Sequence, residues 1–157
     1  MGGVVSQRCA AAFVVVAILG LILPAVAQQT TLPPNVIAPS RENSVIRNQL
    51  TLAKKFEQQA LQGFMAIPAD NSIPVDETSH QAARDAYVLI RAARHGMGWQ
   101  KEAKKFPDPV FDLIYKRVDE AWNLSRTPVD HASSVERAVR DANQAIRLLD
   151  QVLIMMP

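Results

Sequence analysis

The spacing of apolar residues over positions 135–156 limits the fold more than any other feature. Val135, Ala142, Leu149 and Met156 recur every seven residues, and Ala138/Val139, Ala145/Ile146 and Val152/Leu153 fill the intervals. Such a repeat lays a wide apolar stripe along one side of an α-helix, and that stripe needs a partner to bury it. At helical rise the stripe is roughly 33 Å long. Ser133 and Glu136 form a capping-box pattern at its start.

Three further segments carry the same period. A first helix is predicted from about Arg41 to Phe64, capped by Ser40. Ile46, Ala53 and Ala60 recur every seven residues along it, with Leu50, Phe56 and Phe64 on the same side. Gly63, Pro68 and Pro74 end it, and the connection from Met65 to Glu77 brings Ile67, Ile73 and Val75 onto the bundle. A second helix opens with the capping-box pattern of Thr78 and Gln81 and buries Ala82, Ala83, Ala86, Tyr87, Leu89, Ile90 and Ala93. Gly96 and Gly98 predict a stop or a kink there, with Trp99 to Lys105 adding a further turn or two. A third helix starts at Asp108-Pro109, a cap followed by a proline where no bond is lost, and runs to Thr127-Pro128. Phe111, Ile114, Val118, Ala121 and Trp122 mark its buried side.

No segment alternates in the manner of a strand. The expectation is an all-α fold: an antiparallel bundle of four helices, built as two αα-hairpins. The run Arg84-Asp85-Ala86-x-x-x-Ile90-Arg91 matches Arg140-Asp141-Ala142-x-x-x-Ile146-Arg147. Duplication of a hairpin and coincidence between two Ala- and Arg-rich helices both account for it.

The N-terminal residues read differently. Arg8 is followed by an uncharged run from Ala10 to Leu23, then by Pro24 and Ala25-Val26-Ala27 before Gln28. That is the pattern of a secretory signal, cleaved between Ala27 and Gln28. The competing reading is an uncleaved anchor, which would be the chain's one link to a membrane. The expected organisation is a signal peptide over 1–27, a mobile Pro-rich leader over 28–40 and the bundle over 41–157. The expected location is the periplasm, or the exterior after secretion.

Cys9 is the single cysteine, so the processed chain has none. Disulfides, thiolate metal sites and cysteine catalysis are thereby excluded, and a cysteine-free secreted domain fits a bacterial envelope. Only Arg8 of the 17 Lys and Arg, and none of the 15 Asp and Glu, lies in the first 27 residues. The remainder is therefore within one charge of neutrality. With no basic excess and no base-stacking surface, nucleic-acid binding is not expected.

Residues able to do chemistry are sparse. His80, His95 and His131 lack metal-ligand spacing, and no C-x-x-C-H exists for covalent haem. His80 is expected to be solvated near a helix start, and His95 to sit at a helix end. The segment Arg94 to Trp99 is the most unusual run. Its glycines would let a ligand approach the backbone, with His95, Met97 and Trp99 around it. A helix break with Trp99 folded onto the core is the competing reading. Arg84 and Arg91, like Arg140 and Arg147, are seven apart and share a helix face. They would grip an anionic partner or lie solvated, with Glu136–Arg140 and Arg137–Asp141 paired. Met155 and Met156 end the chain on an apolar note. They pack under the 65–77 connection or present soft side chains to a partner.

No catalytic carboxylate pair, phosphate loop or nucleophile motif appears, so no enzyme activity and no cofactor is assigned. Two functional readings stand. The first is an exported, non-catalytic bundle that binds or scaffolds a partner, either another envelope protein or a second copy. The second is a bundle holding a small ligand, metal or haem near the break in helix two.

Overall fold

The computed structural model describes residue 37 and residues 40–68, 75–104, 108–130 and 133–156. The expected signal segment and its Ala27–Gln28 junction, Ile73 and His131 lie outside the described residues. Within them the chain forms α1 (Arg41–Met65), α2 (Glu77–Ala103), α3 (Pro109–Leu124), the single turn α4 (Arg126–Val129) and α5 (Val135–Met155), with no strand. The four long helices pack as a bundle. α1 lies against α2 and α5, and α3 against the same two, so α2 and α5 stand on a diagonal.

The register follows from cross-helix contacts. Gly63 lies beside Ser79 and Gly96 beside Ile46, which makes α1 and α2 antiparallel. Lys54 pairs with Asp150 at 2.5 Å, and Arg47 Nε donates to the Met156 carbonyl, so α1 and α5 are antiparallel too. Lys101 meets Asp112 at 3.0 Å, and Arg94 meets Asp119, which sets α2 against α3.

Helix starts obey capping chemistry, with two shifts from expectation. Ser40 and Asp108 cap as predicted, accepting from Asn43 N–H and Phe111 N–H at 3.0 Å each. α2 begins earlier than the Thr78 pattern implies, because Asp76 accepts from Ser79 N–H at 2.8 Å and from Ser79 Oγ at 2.7 Å. α5 is capped by Ser134 rather than Ser133. α3 stops at Leu124, short of Thr127-Pro128, which instead form a buried turn in α4.

Helix two does not break. It runs unbroken through Gly96 and Gly98 to Ala103. Two glycines in a helix each cost about 1 kcal/mol. Burial of Ala93 and Met97 offsets that cost, since both are fully inside the core. At Gly96 a Cβ would lie 3.5 Å from Ile46 of α1, an ordinary contact, so the two helices are close there without excluding a side chain.

The core has two clusters. The larger contains Leu50, Ile90, Ile114, Val118, Leu149 and Val152; the smaller is built from Ala60, Phe64, Ala82, Ala83 and Ala138. Ile67 and Val75 of the connection pack on the smaller cluster, as expected. The C-terminal methionines do not lie under that connection. They are buried in the larger cluster with Ile37 and Ile46, at the opposite end. The antiparallel register dictates this, because the end of α5 meets the start of α1. Ile37 N–H donates to the Met155 carbonyl at 3.1 Å, so this residue of the expected mobile leader belongs to the bundle.

Two glycine substitutions test the packing. A Cβ at Gly63 would overlap Ser79 Oγ and lie 2.6 Å from Ser79 Cβ, so Gly63→Ala should destabilise by about 1–3 kcal/mol. A Cβ at Gly98 would make ordinary contacts of 3.8–3.9 Å with Tyr115, so Gly98→Ala should stabilise by up to about 1 kcal/mol. Urea denaturation of both variants reads the opposite signs. Leu149→Ala, at a fully buried site, should cost about 2–5 kcal/mol in the same measurement.

Candidate functional site

Because α2 continues past Gly96, the Arg94–Trp99 residues spread around a helix instead of converging. Met97 is fully buried in the larger cluster, while His95 is exposed in mid-helix rather than at a helix end. Trp99 is 74% exposed and does not fold onto the core. What the helix creates instead is a groove. Ala92, Gly96, Trp99 and Ala103 follow one another at helical spacing on α2, facing Glu42, Val45, Ile46 and Gln49 of α1. The groove encloses about 440 Å³. Its floor is Ile46 showing through at Gly96, and its walls are exposed apolar side chains, Trp99 on one side and Val45 (52% exposed) on the other. Gln100 Nε2 donates to Glu42 across its head at 3.3 Å.

A second feature departs from the expected stripe of α1. The buried face of α1 reads Ile46, Leu50, Ala53, Glu57, Ala60 and Phe64. Glu57, not Phe56, occupies the stripe; Phe56 is only partly buried. Glu57 has no exposed surface, and among the described residues neither carboxylate oxygen has a hydrogen-bond partner. Burial pushes its carboxyl up to about 8, so the acid is neutral in the folded protein at neutral pH.

Most of the other polar groups have structural partners, though Trp122 Nε1 is buried with no hydrogen-bond partner among the described residues. Asp141 accepts from Thr127 Oγ1 at 2.8 Å and pairs with Arg137 at 3.6 Å, as expected, and with Arg140 at 3.3 Å. Arg140 thus turns to Asp141 and not to Glu136. Arg84 is engaged by Glu77 and Gln81, while Arg91 and Arg147 are exposed. Since α2 and α5 are diagonal, the two arginine pairs do not merge into one patch. His80 is not solvated; it is buried at the start of α2, edge-on to Phe64 with ring centroids 5.5 Å apart. Trp122 stacks on Tyr87 at 6.0 Å under the Arg94 guanidinium, 4.6 Å from the ring centre. Met155 and Met156 are buried, whereas Ile154 in the last turn of α5 is 76% exposed. Among the described residues no three His, Cys, Asp or Glu gather as metal ligands, and no helix is long and apolar enough to cross a membrane.

Comparison with known protein families, characterised proteins and solved structures finds no match to this chain.

The two ends of the pH scale act on different groups. Hydrogen bonds from Lys104 Nζ and Phe111 N–H hold Asp108 below its ordinary range. That contribution is present above the unfolded value and is lost as pH falls through the lower folded one. Glu57 runs the other way. Its raised folded value means the native state keeps a proton that the unfolded chain has released, so stability declines from about pH 4.5 to about pH 8. Glu57→Leu should flatten that decline and raise stability at pH 8 by a few kcal/mol, on the order of its desolvation cost. Asp108→Ala should cost about 0.5–2 kcal/mol at neutral pH and leave the alkaline slope intact. Urea midpoints across the pH range measure both.

Proposed function

We propose that this chain is an exported, non-catalytic helical bundle of the cell envelope that binds a partner protein through the α1–α2 groove. The single observation that carries the reading is Trp99, 74% exposed on a rigid helix beside an apolar groove. A large aromatic in water is a cost to a lone monomer. In an interface, tryptophan is among the residues that contribute most when a partner covers them. Helical presentation also fixes the ring without ordering a loop, which lowers the entropy lost on docking. The buried clusters draw only Ile46 from the groove lining, so its exposed residues are free to serve recognition. Export rests on the Arg8, Ala10–Leu23 and Ala25-Val26-Ala27 pattern.

A photo-crosslinking side chain placed at Val45 or His95, flanking the groove, should give one dominant adduct in cells that make the protein. The same group at Glu120 on α3 should give none. Trp99→Ala should abolish the adduct while changing stability by no more than about 0.5 kcal/mol, as befits an exposed side chain. Adducts of equal yield at all three positions, or an adduct indifferent to Trp99→Ala, overturn the groove assignment. Mass spectrometry of the native N-terminus tests export: a chain starting at Gln28 in the periplasmic fraction supports it, and an intact Met1 in the membrane fraction refutes it.

A further inference from the structure

Glu57 lies in the gap between the two core clusters. On α1 the larger cluster ends at Ala53 and the smaller begins at Ala60. On α2 the corresponding limits are Ile90 and Ala83, with fully buried Ala86 between them; on α5 they are Leu149 and Ala138, with fully buried Ala142 and Ala145 between them. The register set by Gly63–Ser79 and Lys54–Asp150 brings these positions to one level. The bundle therefore has a waist of small side chains and one carboxyl group, closed on the α4 side by Thr127, Pro128 and Asp141. Alanines offer little apolar area to hold such a layer together. The carboxyl has no exposed surface and no hydrogen-bond partner among the described residues.

Among the described residues no charged group near that level is paired with Glu57. On α2, Asp85 accepts from Gln81, Arg84 is held by Glu77 and Gln81, and His80 lies edge-on to Phe64. On α5, Asp141 is held by Thr127, Arg137 and Arg140, Asp150 pairs with Lys54, and Arg147 is exposed. An ionised carboxylate at the waist must either stay dry and unpaired or bring in water. The second costs less wherever neighbouring packing is weak. The smaller cluster, whose buried members are four alanines and Phe64 ringed by half-buried side chains such as Phe56, Val129 and Val135, is that place.

We propose that Glu57 is a proton-operated latch: its neutral carboxyl joins the two clusters, and loss of the proton admits water at the waist and loosens the smaller-cluster end of the bundle. The larger cluster, with Ile114, Leu149 and their neighbours, stays closed. The opened end exposes Phe64, Ile67 and Val75. The device is independent of the Trp99 groove, which lies at the other end beside Ile46 and Gly96.

Hydrogen exchange of the whole processed chain, corrected for intrinsic rate, tests the latch at about pH 6 and about pH 9. In the wild type, amides around Ala60, Phe64, Ala82 and Ala83 should lose protection by about ten-fold or more, while those around Ile114 and Leu149 change by less than about two-fold. Glu57→Gln, or Glu57→Leu if the amide variant does not fold, should remove the difference. An infrared carbonyl band of a neutral carboxylic acid should be present in the wild type at neutral pH and fade on alkalinisation, a readout that needs no variant. Equal loss of protection at both ends, no loss at either, or absence of the neutral-acid band at neutral pH would overturn the proposal.

Discussion

The close approach of α1 and α2 is the constraint on which the other features depend. Their seam is made of Ala53, Ala60, Ala82, Ala83, Ala86 and Ala93, all buried, with Gly63 and Gly96 towards its two ends. Small side chains let helix axes draw together, which strengthens backbone dispersion but leaves little room for a large group. At Gly63 the approach is so tight that no Cβ fits beside Ser79. The same closeness dries the waist around Glu57. Near Gly96 it has the opposite consequence at the surface. Without side chains to fill the seam from outside, Trp99 and Val45 stand as walls of an open groove instead of closing over it.

How much of this could be read from the residues depends on whether a neighbour in sequence or a neighbour in space decides the outcome. The Asp108-Pro109 start, the Ser40 cap and the seven-residue stripes are local, and the structure contains them. The unbroken α2 was hidden because glycine's helix penalty is local while the compensating burial of Ala93 and Met97 comes from other helices. The tail's contacts were legible in part, because an antiparallel four-helix bundle already sets the end of the last helix beside the start of the first and away from the 65–77 connection. Whether His95, Met97 and Trp99 share a face was a consequence of the same helix continuity, and they do not.

Glu57 was missed for a different reason. A charged residue at a stripe position is ordinarily assigned to the solvent side, and Phe56 next to it offers an apolar substitute. The available signal was periodicity: Leu50, Glu57 and Phe64 are separated by seven, and Phe56 is one step out of phase. Adherence to the period over the residue type would have placed the acid inside. An apolar side chain at this position would pack without desolvation cost. A lone acid held neutral therefore makes sense as a determinant of when the bundle is closed more readily than as a source of stability.

The two ends of the bundle carry unequal burdens. The larger cluster draws residues from all four long helices and from Ile37, and it holds the groove wall of α2 rigid through Met97. The smaller cluster draws mainly on α1, α2 and α5 and relies on alanines. A perturbation at the waist is felt where the fewest large side chains resist it. The α1–α2 hairpin can therefore loosen at its connected end while its other end keeps Trp99 in position. The two roles proposed above, recognition at a fixed groove and responsiveness at a weak end, are compatible in one small bundle because they fall on separate core clusters.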